Sequence, residues 1–155
     1  MSSLNPRTVH GARVHLFVGC RFPDTVVSYG WRVIGDSEVR PWGSWVVLDE
    51  GDGYKVKRIN VNPHSRLSYQ THDHRSEWWS VVSGKASSVI DGQVVYTDPG
   101  QSVEVAVGVP HRIVNEQDEE LVIIEIQRGD YCGEDDIVRL EDDFGRVPAA
   151  RTHSH

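Results

Sequence analysis

The sequence predicts an all-β, single-domain barrel or sandwich, and three observations carry that expectation. Turn signals recur at short intervals: DEGDG (49–53), NPHS (62–65), SG (83–84), DG (91–92), DPG (98–100), VGVP (107–110) and NEQDEE (115–120). Between them lie short runs dominated by Val, Ile, Tyr and Trp, residue types that suit a pleated, half-buried surface. No central stretch carries the apolar stripe of an amphipathic helix.

Taken in order, the first 38 residues are the least legible, with VHLFVG (14–19) and WRVIG (31–35) as candidate strands at a sheet edge or exchanged with a partner. The barrel strands are expected at SWVVL (44–48), YKVKRINV (54–61), RLSYQTH (66–72), WWSVVSG (78–84), ASSVI (86–90), QVVY (93–96), SVEVAV (102–107), HRIV (111–114) and LVIIEI (121–126). SSVIDGQVVY (87–96) sets Asp91-Gly92 between apolar runs, the mark of a two-residue hairpin. EDDIVRLEDDFGR (134–146) fits a short helical turn, and VPAARTHSH (147–155) reads as a frayed tail with two solvated histidines. The expected organisation is an N-terminal extension (1–38), a barrel (39–146) and a tail (147–155).

Composition bounds the partners. Hydrophobic residues at 38% and charged residues at 25% are ordinary for a soluble globular protein. With a net charge of −7 there is no general basic field to draw nucleic acid or anionic lipid, so an anionic substrate must be held by local Arg or Lys. No apolar run approaches the roughly 20 residues of a membrane span. The N-terminal MSSLNPRTVHGAR lacks the apolar core of an export signal, so the expectation is a cytoplasmic protein with Cys20 and Cys132 as thiols.

The chemistry concentrates in QTHDHRSEWW (70–79). On an extended strand His72 and His74 share a face, and two neutral imidazoles can reach one divalent metal at about 2.0–2.2 Å. Glu77 is out of phase with them and needs a bulge, expected at Arg75–Ser76. A Gly108-Val109-Pro110 turn then delivers His111 onto a new strand. Three imidazoles and a carboxylate with open positions suit Zn, Mn, Fe, Co or Ni, so one divalent transition metal per chain is expected. Gln70 shares the face of His72, either as a pocket donor or as a structural hydrogen bond. One of the two indoles must face the pocket, and Trp78 is assigned to stack on the substrate. On LVIIEIQ, Glu125 and Gln127 face opposite to Val122, Ile124 and Ile126, towards interior or solvent.

His72-x-His74-x2-Glu77-x6-Gly84 resembles the first cupin motif, and Gly100-x5-Ala106-x-Gly108-x2-His111-x3-Asn115 the second. RPWGSWVVLDEGDGYKVKRINVNP (40–63), HRSEWWSVVSGKA (74–86), GVPHRIVN (108–115) and EDDIVRLEDDFGR (134–146) resemble the type II mannose-6-phosphate isomerase domain, which occurs alone or behind a mannose-1-phosphate guanylyltransferase. The likeness runs from about Val39 to Arg146. That family usually reads His-His-His-Arg-x-Glu-His-Trp, whereas Asp73 and Trp78 replace two of those histidines here and Ala106 replaces a proline.

The resemblance implies a double-stranded β-helix (jelly-roll) barrel, a homodimer, and a metal held by His72, His74, Glu77 and His111. It implies an aldose–ketose isomerase that moves a proton between adjacent carbons through an enediol(ate). Glu125 with Gln127 would then do the proton transfer, Lys57 and Arg139 would hold a phosphate, and Gln70 and Trp78 would contact the sugar. Two rivals accompany it: a metal-dependent oxygenase, lyase or hydratase on the same ligand set, and a non-catalytic ligand-binding cupin.

Overall fold

The computed structural model describes residues 35–146, and within them every helix or strand element is a strand. The first five are β1 (Ser37–Arg40), β2 (Gly43–Gly51), β3 (Tyr54–Val61), β4 (Ser65–Arg66) and β5 (Tyr69–Thr71). Then come β6 (Arg75–Ser83), β7 (Ala86–Ile90), β8 (Gln93–Thr97) and β9 (Ser102–Val105). The last are β10 (His111–Arg112), β11 (Val114–Asn115), β12 (Leu121–Gly129) and β13 (Val138–Glu141). Every pairing is antiparallel. One sheet runs β1-β2-β3-β12-β6-β9, a second runs β13-β5-β10-β7-β8, and β11 pairs with β4. The all-β expectation holds, and no described helix is long and apolar enough to cross a membrane.

Alternation decides which face closes on the core. Along β12, Leu121, Ile123, Glu125 and Gln127 are buried, while Ile124, Ile126 and Arg128 are more exposed. Along β6, Arg75, Glu77, Trp79 and Val81 point inward, and along β3 Lys55, Lys57, Ile59 and Val61 do so. The apolar members of these stripes meet Trp42, Trp45 and Val47 beside β3, Ala86 from the second sheet and Ile113 between β10 and β11. Full burial of such side chains supplies about 1.5–3 kcal/mol each. The core thus fills one end of the barrel, and the same stripes turn polar at the other.

The hairpin expected at Asp91-Gly92 forms, with Ile90 opposite Gln93 and both turn residues at positive φ (47° and 73°). The helical turn expected in 134–146 does not. Val138–Glu141 instead pairs with β5, with Arg139 opposite Gln70, because an open sheet edge there offers hydrogen bonds that a short isolated helix lacks. At the start, hydrogen bonds from Gly35 N to Val47 O and from Val47 N to Asp36 O extend the β1–β2 pairing back to residue 35. VHLFVG, most of WRVIG, Cys20 and the 147–155 tail lie outside the described residues.

Candidate metal centre

Three buried side chains converge at the polar end of the barrel: His72, Glu77 and His111, whose ligating atoms all lie within 4.8 Å of one another. β5 carries the stripe Ser68, Gln70, His72 to the sheet end, and the chain then bends at Asp73–His74. β6 restarts at Arg75 with regular alternation, so Glu77 faces inward two residues on. The Val109-Pro110 segment sets His111 at the start of β10, opposite Gln70 and Ile90. His72 Nε2 lies 3.0 Å from Glu77 Oε1, and His111 Nε2 lies 3.4 Å from Glu77 Oε2.

The imidazoles are held in a defined tautomer. His72 Nδ1 meets the carbonyl of Asp136, and His111 Nδ1 lies 2.7 Å from the carbonyl of Val109. A carbonyl only accepts, so each Nδ1 carries the proton and each Nε2 of a neutral ring turns a lone pair toward Glu77. His111 Nε2 is buried without a hydrogen-bond partner, a state that buried polar atoms rarely keep. Two such nitrogens beside a buried carboxylate fit a divalent cation with positions left open. Gln70 adjoins them: its Nε2 lies 3.3 Å from His72 Nε2, and its Oε1 accepts from Ser68 Oγ at 2.7 Å. Turning that carboxamide over would offer its oxygen to the same point.

Two expected site residues point elsewhere. His74 is outside the cluster: its side chain is 53% exposed, its Nδ1 lies 3.4 Å from Asp130 Oδ1, and its ring meets Tyr131 edge-on. The reason is the bend at Asp73–His74, which breaks the two-residue period linking it to His72. Gly129 lets β12 pass close to this bend, where an added Cβ would sit 1.9 Å from the His74 carbonyl oxygen. The bulge expected at Arg75–Ser76 is not there; the bend two residues earlier does that work. Trp78 stands on the outer face, 41% exposed and opposite Ile126. Trp79 is the inward indole, its N–H shared between Glu77 Oε2 (3.1 Å) and Glu125 Oε1 (3.2 Å).

Arg75 is the residue sequence reasoning missed. Its Nε donates to Glu77 Oε1 at 3.1 Å, its Nη2 lies 3.3 Å from His72 Nε2, and its Nη1 donates to the carbonyls of Gly133 and Asp136. Counting back two from Glu77 on the same strand would have found it. The Asp136 carboxylate accepts from the backbone N–H of Asp73 (2.9 Å) and His74 (3.2 Å), which fixes the bend.

A cavity of about 80 Å³ opens beside the cluster, and the structure brings Lys57, Gln70, Glu77, Glu125, Gln127 and Arg139 to its lining. Glu125 is buried and accepts from Gln127 Nε2 at 2.9 Å. Burial, and then the charge of Glu77, push its carboxyl up to about 8, against the pull of Lys57 and Arg75. Glu77 goes the other way: burial raises it, but when the two rings also carry a proton on Nε2, hydrogen bonds and charge from His111 and His72 hold it well below the ordinary carboxylate range. Lys57 Nζ lies 4.3 Å over the Trp45 ring and pairs with Glu134. Burial pulls the Arg139 guanidinium below its ordinary value, and its buried Nε has no hydrogen-bond partner.

Residues 34–142 match the family described as mannose-6-phosphate isomerase C-terminal. The chain is 47% identical over 108 residues to the xanthan biosynthesis protein XanB of Xanthomonas campestris pv. campestris (strain B100), covering 70% of this chain and 23% of that protein. Over 108 residues it is 44% identical to a mannose-1-phosphate guanylyltransferase of Escherichia coli (strain K12), covering 70% and 23%. The chain thus spans less than a quarter of the length of these relatives. A solved protein with a double-stranded β-helix domain from Klebsiella pneumoniae subsp. pneumoniae MGH 78578 matches with a TM-score of 0.55 and 20% identity, over 63% of this chain and 78% of that one. That likeness establishes the double-stranded β-helix, or cupin, fold.

Proposed function

The chain belongs to the mannose-6-phosphate isomerase C-terminal family, and on that premise we propose that it is a metal-dependent isomerase interconverting an aldose phosphate and a ketose phosphate of the mannose 6-phosphate type. The observation that carries this reading is the pair of buried imidazoles whose Nε2 atoms face a buried carboxylate beside a cation-lined cavity. His72, Glu77 and His111 would hold the metal, and the Gln70 carboxamide, turned over, would offer its oxygen in the place expected for His74. A bound divalent ion supplies Lewis-acid stabilisation to adjacent substrate oxygens that become negative during reaction. In its ionised form Glu125 takes the proton from C2 and returns it to C1 while a proton passes between the two oxygens, and Gln127 fixes its carboxylate. Lys57 and Arg139 bind the phosphate, one as a point charge and one as a fork.

The test is anaerobic incubation of the metal-loaded protein with mannose 6-phosphate in deuterium oxide. Solvent deuterium at C1 of the ketose product is the expected result. Metal-loaded protein that exchanges nothing overturns the reading, and oxygen consumption in air would move it to the oxygenase class. Arg139→Ala raises KM for the sugar phosphate about tenfold or more and leaves KM for unphosphorylated mannose unchanged. Equal effects on both sugars would remove Arg139 from the phosphate site.

A cytoplasmic homodimer completes this reading. Trp78 and Ile126 stand opposite each other on the outer face of the larger sheet, with Val56 next across β3 and exposed Val82 nearby. Trp78→Lys therefore yields a monomer by light scattering; an unchanged mass excludes this face as the interface.

A further inference from the structure

The cavity lining sets five cationic side chains, Arg40, Lys57, Arg75, Arg139 and Arg146, against three carboxylates, Glu77, Glu125 and Glu134. Arg40, Arg75 and Arg146 are already paired with Glu38, Glu77 and Asp142, which leaves Lys57, held by Glu134, and Arg139, whose buried Nε has no hydrogen-bond partner, to receive an anionic occupant. Two of the carboxylates are fixed from strands: Glu77 by the imidazoles and Arg75, Glu125 by Trp79 and Gln127. Glu134 is different. It sits between β12 and β13 with a 47% exposed side chain, yet its Oε1 pairs with the buried Lys57 Nζ and lies 3.8 Å from Lys55 Nζ. An exposed acid thus reaches in to cover Lys57, a cation of the cavity lining, whereas Lys55 lies outside that lining and is also 3.8 Å from Glu50 Oε1.

The backbone around Glu134 is held independently. Arg75 Nη1 donates to the carbonyls of Gly133 (2.9 Å) and Asp136 (3.1 Å), and Asp136 N donates to Gly133 O (3.2 Å). The Glu134 side chain can therefore swing away from Lys57 about its own torsions while the residues beside it stay tied to the metal centre.

We propose that Glu134 is an internal occupant of the anion site, covering Lys57 until the phosphate of a substrate displaces it. The inference rests on the reading above only in taking the ligand to be phosphorylated. It makes Glu134 a specificity-determining residue: a dianion outcompetes the carboxylate for the Lys57 ammonium group, and a neutral sugar does not.

The experiment is calorimetric titration of inorganic phosphate into the metal-loaded protein. Glu134→Gln tightens phosphate binding about fivefold or more, since the competing charge is gone while the side-chain shape is kept. Asp135→Asn removes a neighbouring charge whose carboxylate accepts from Tyr131 Oη at 2.5 Å, and it changes phosphate affinity by less than about twofold. The gain disappears in the double variant Glu134→Gln/Lys57→Met. Equal or weaker phosphate binding by Glu134→Gln, the same gain in Asp135→Asn, a gain that survives loss of Lys57, or no phosphate binding by either parent or variant would each overturn the proposal. Sugar-phosphate turnover is scored separately. A protein that shows this phosphate pattern without isomerising sugars retains the Glu134 assignment and loses only the isomerase.

Discussion

Replacing His111 by Ala strips the metal from the purified protein and abolishes isomerase turnover while the barrel still folds. His111 contributes one of two Nε2 lone pairs, and its ring is positioned by the Val109 carbonyl and by an edge contact with Trp79, while the rest of the core packs without it. Loss of that ring costs a buried ligand and leaves one carbonyl without its donor, about 1–3 kcal/mol, which a single-domain barrel survives. Elemental analysis beside a thermal melt reads both parts. His74→Ala is the internal control and keeps the parent's metal stoichiometry, because that side chain faces solvent and Asp130. Full metal occupancy in His111→Ala, or a metal-free His74→Ala, would refute the ligand set.

Glu125→Gln lowers kcat by about two to four powers of ten with metal content unchanged, the range expected when a proton-transfer group is lost. It also changes how the metal-free protein responds to pH. In the fold the Glu125 carboxyl is raised from 4.5 to about 8, so the stability gained by keeping its proton is complete below 4.5 and is lost as pH rises through about 8. Glu77 has the opposite sign: it is held below 4.5, and its contribution is present above that value and lost as pH falls through the depressed value. The two windows do not overlap. Melting temperatures of the chelator-treated protein should therefore fall between about pH 5 and pH 8 in the parent, and less in Glu125→Gln. Parallel curves in that interval would show that Glu125 titrates normally.

The parts of this arrangement visible in the sequence obey strict two-residue alternation inside one strand. Glu125 and Gln127 are interior because the alternation runs unbroken from Ile123 to Gln127, beyond the register shift between Val122 and Ile123. His72, Glu77 and His111 were each recognisable as ligand types. His74 differs because parity does not carry across Asp73–His74, where no Gly or Pro marks a turn and a distant Asp136 holds the bend through backbone N–H groups; Trp78 differs because an inward Glu77 puts Trp79, two residues on, at the pocket. Arg75 was hidden by the same bend. The segment from Tyr131 to Ile137 was illegible because its conformation depends on partners far away in the chain, among them Arg75, Lys57 and His72. Val138–Glu141 carries charges that suit a helical turn, but the exposed edge of β5 decides its state.

The guanidinium lodged between Glu77 and His72 has an implication for the order of assembly. Because Arg75 already neutralises the acid and donates toward one of the nitrogens, the barrel can close as an electrically balanced shell before any ion arrives. On the proposed reading, metallation would be a late exchange of one positive partner for another, separable from folding, unlike small domains that collapse only around their metal. A cooperative melt of the chelated protein is the sign of that sequence of events.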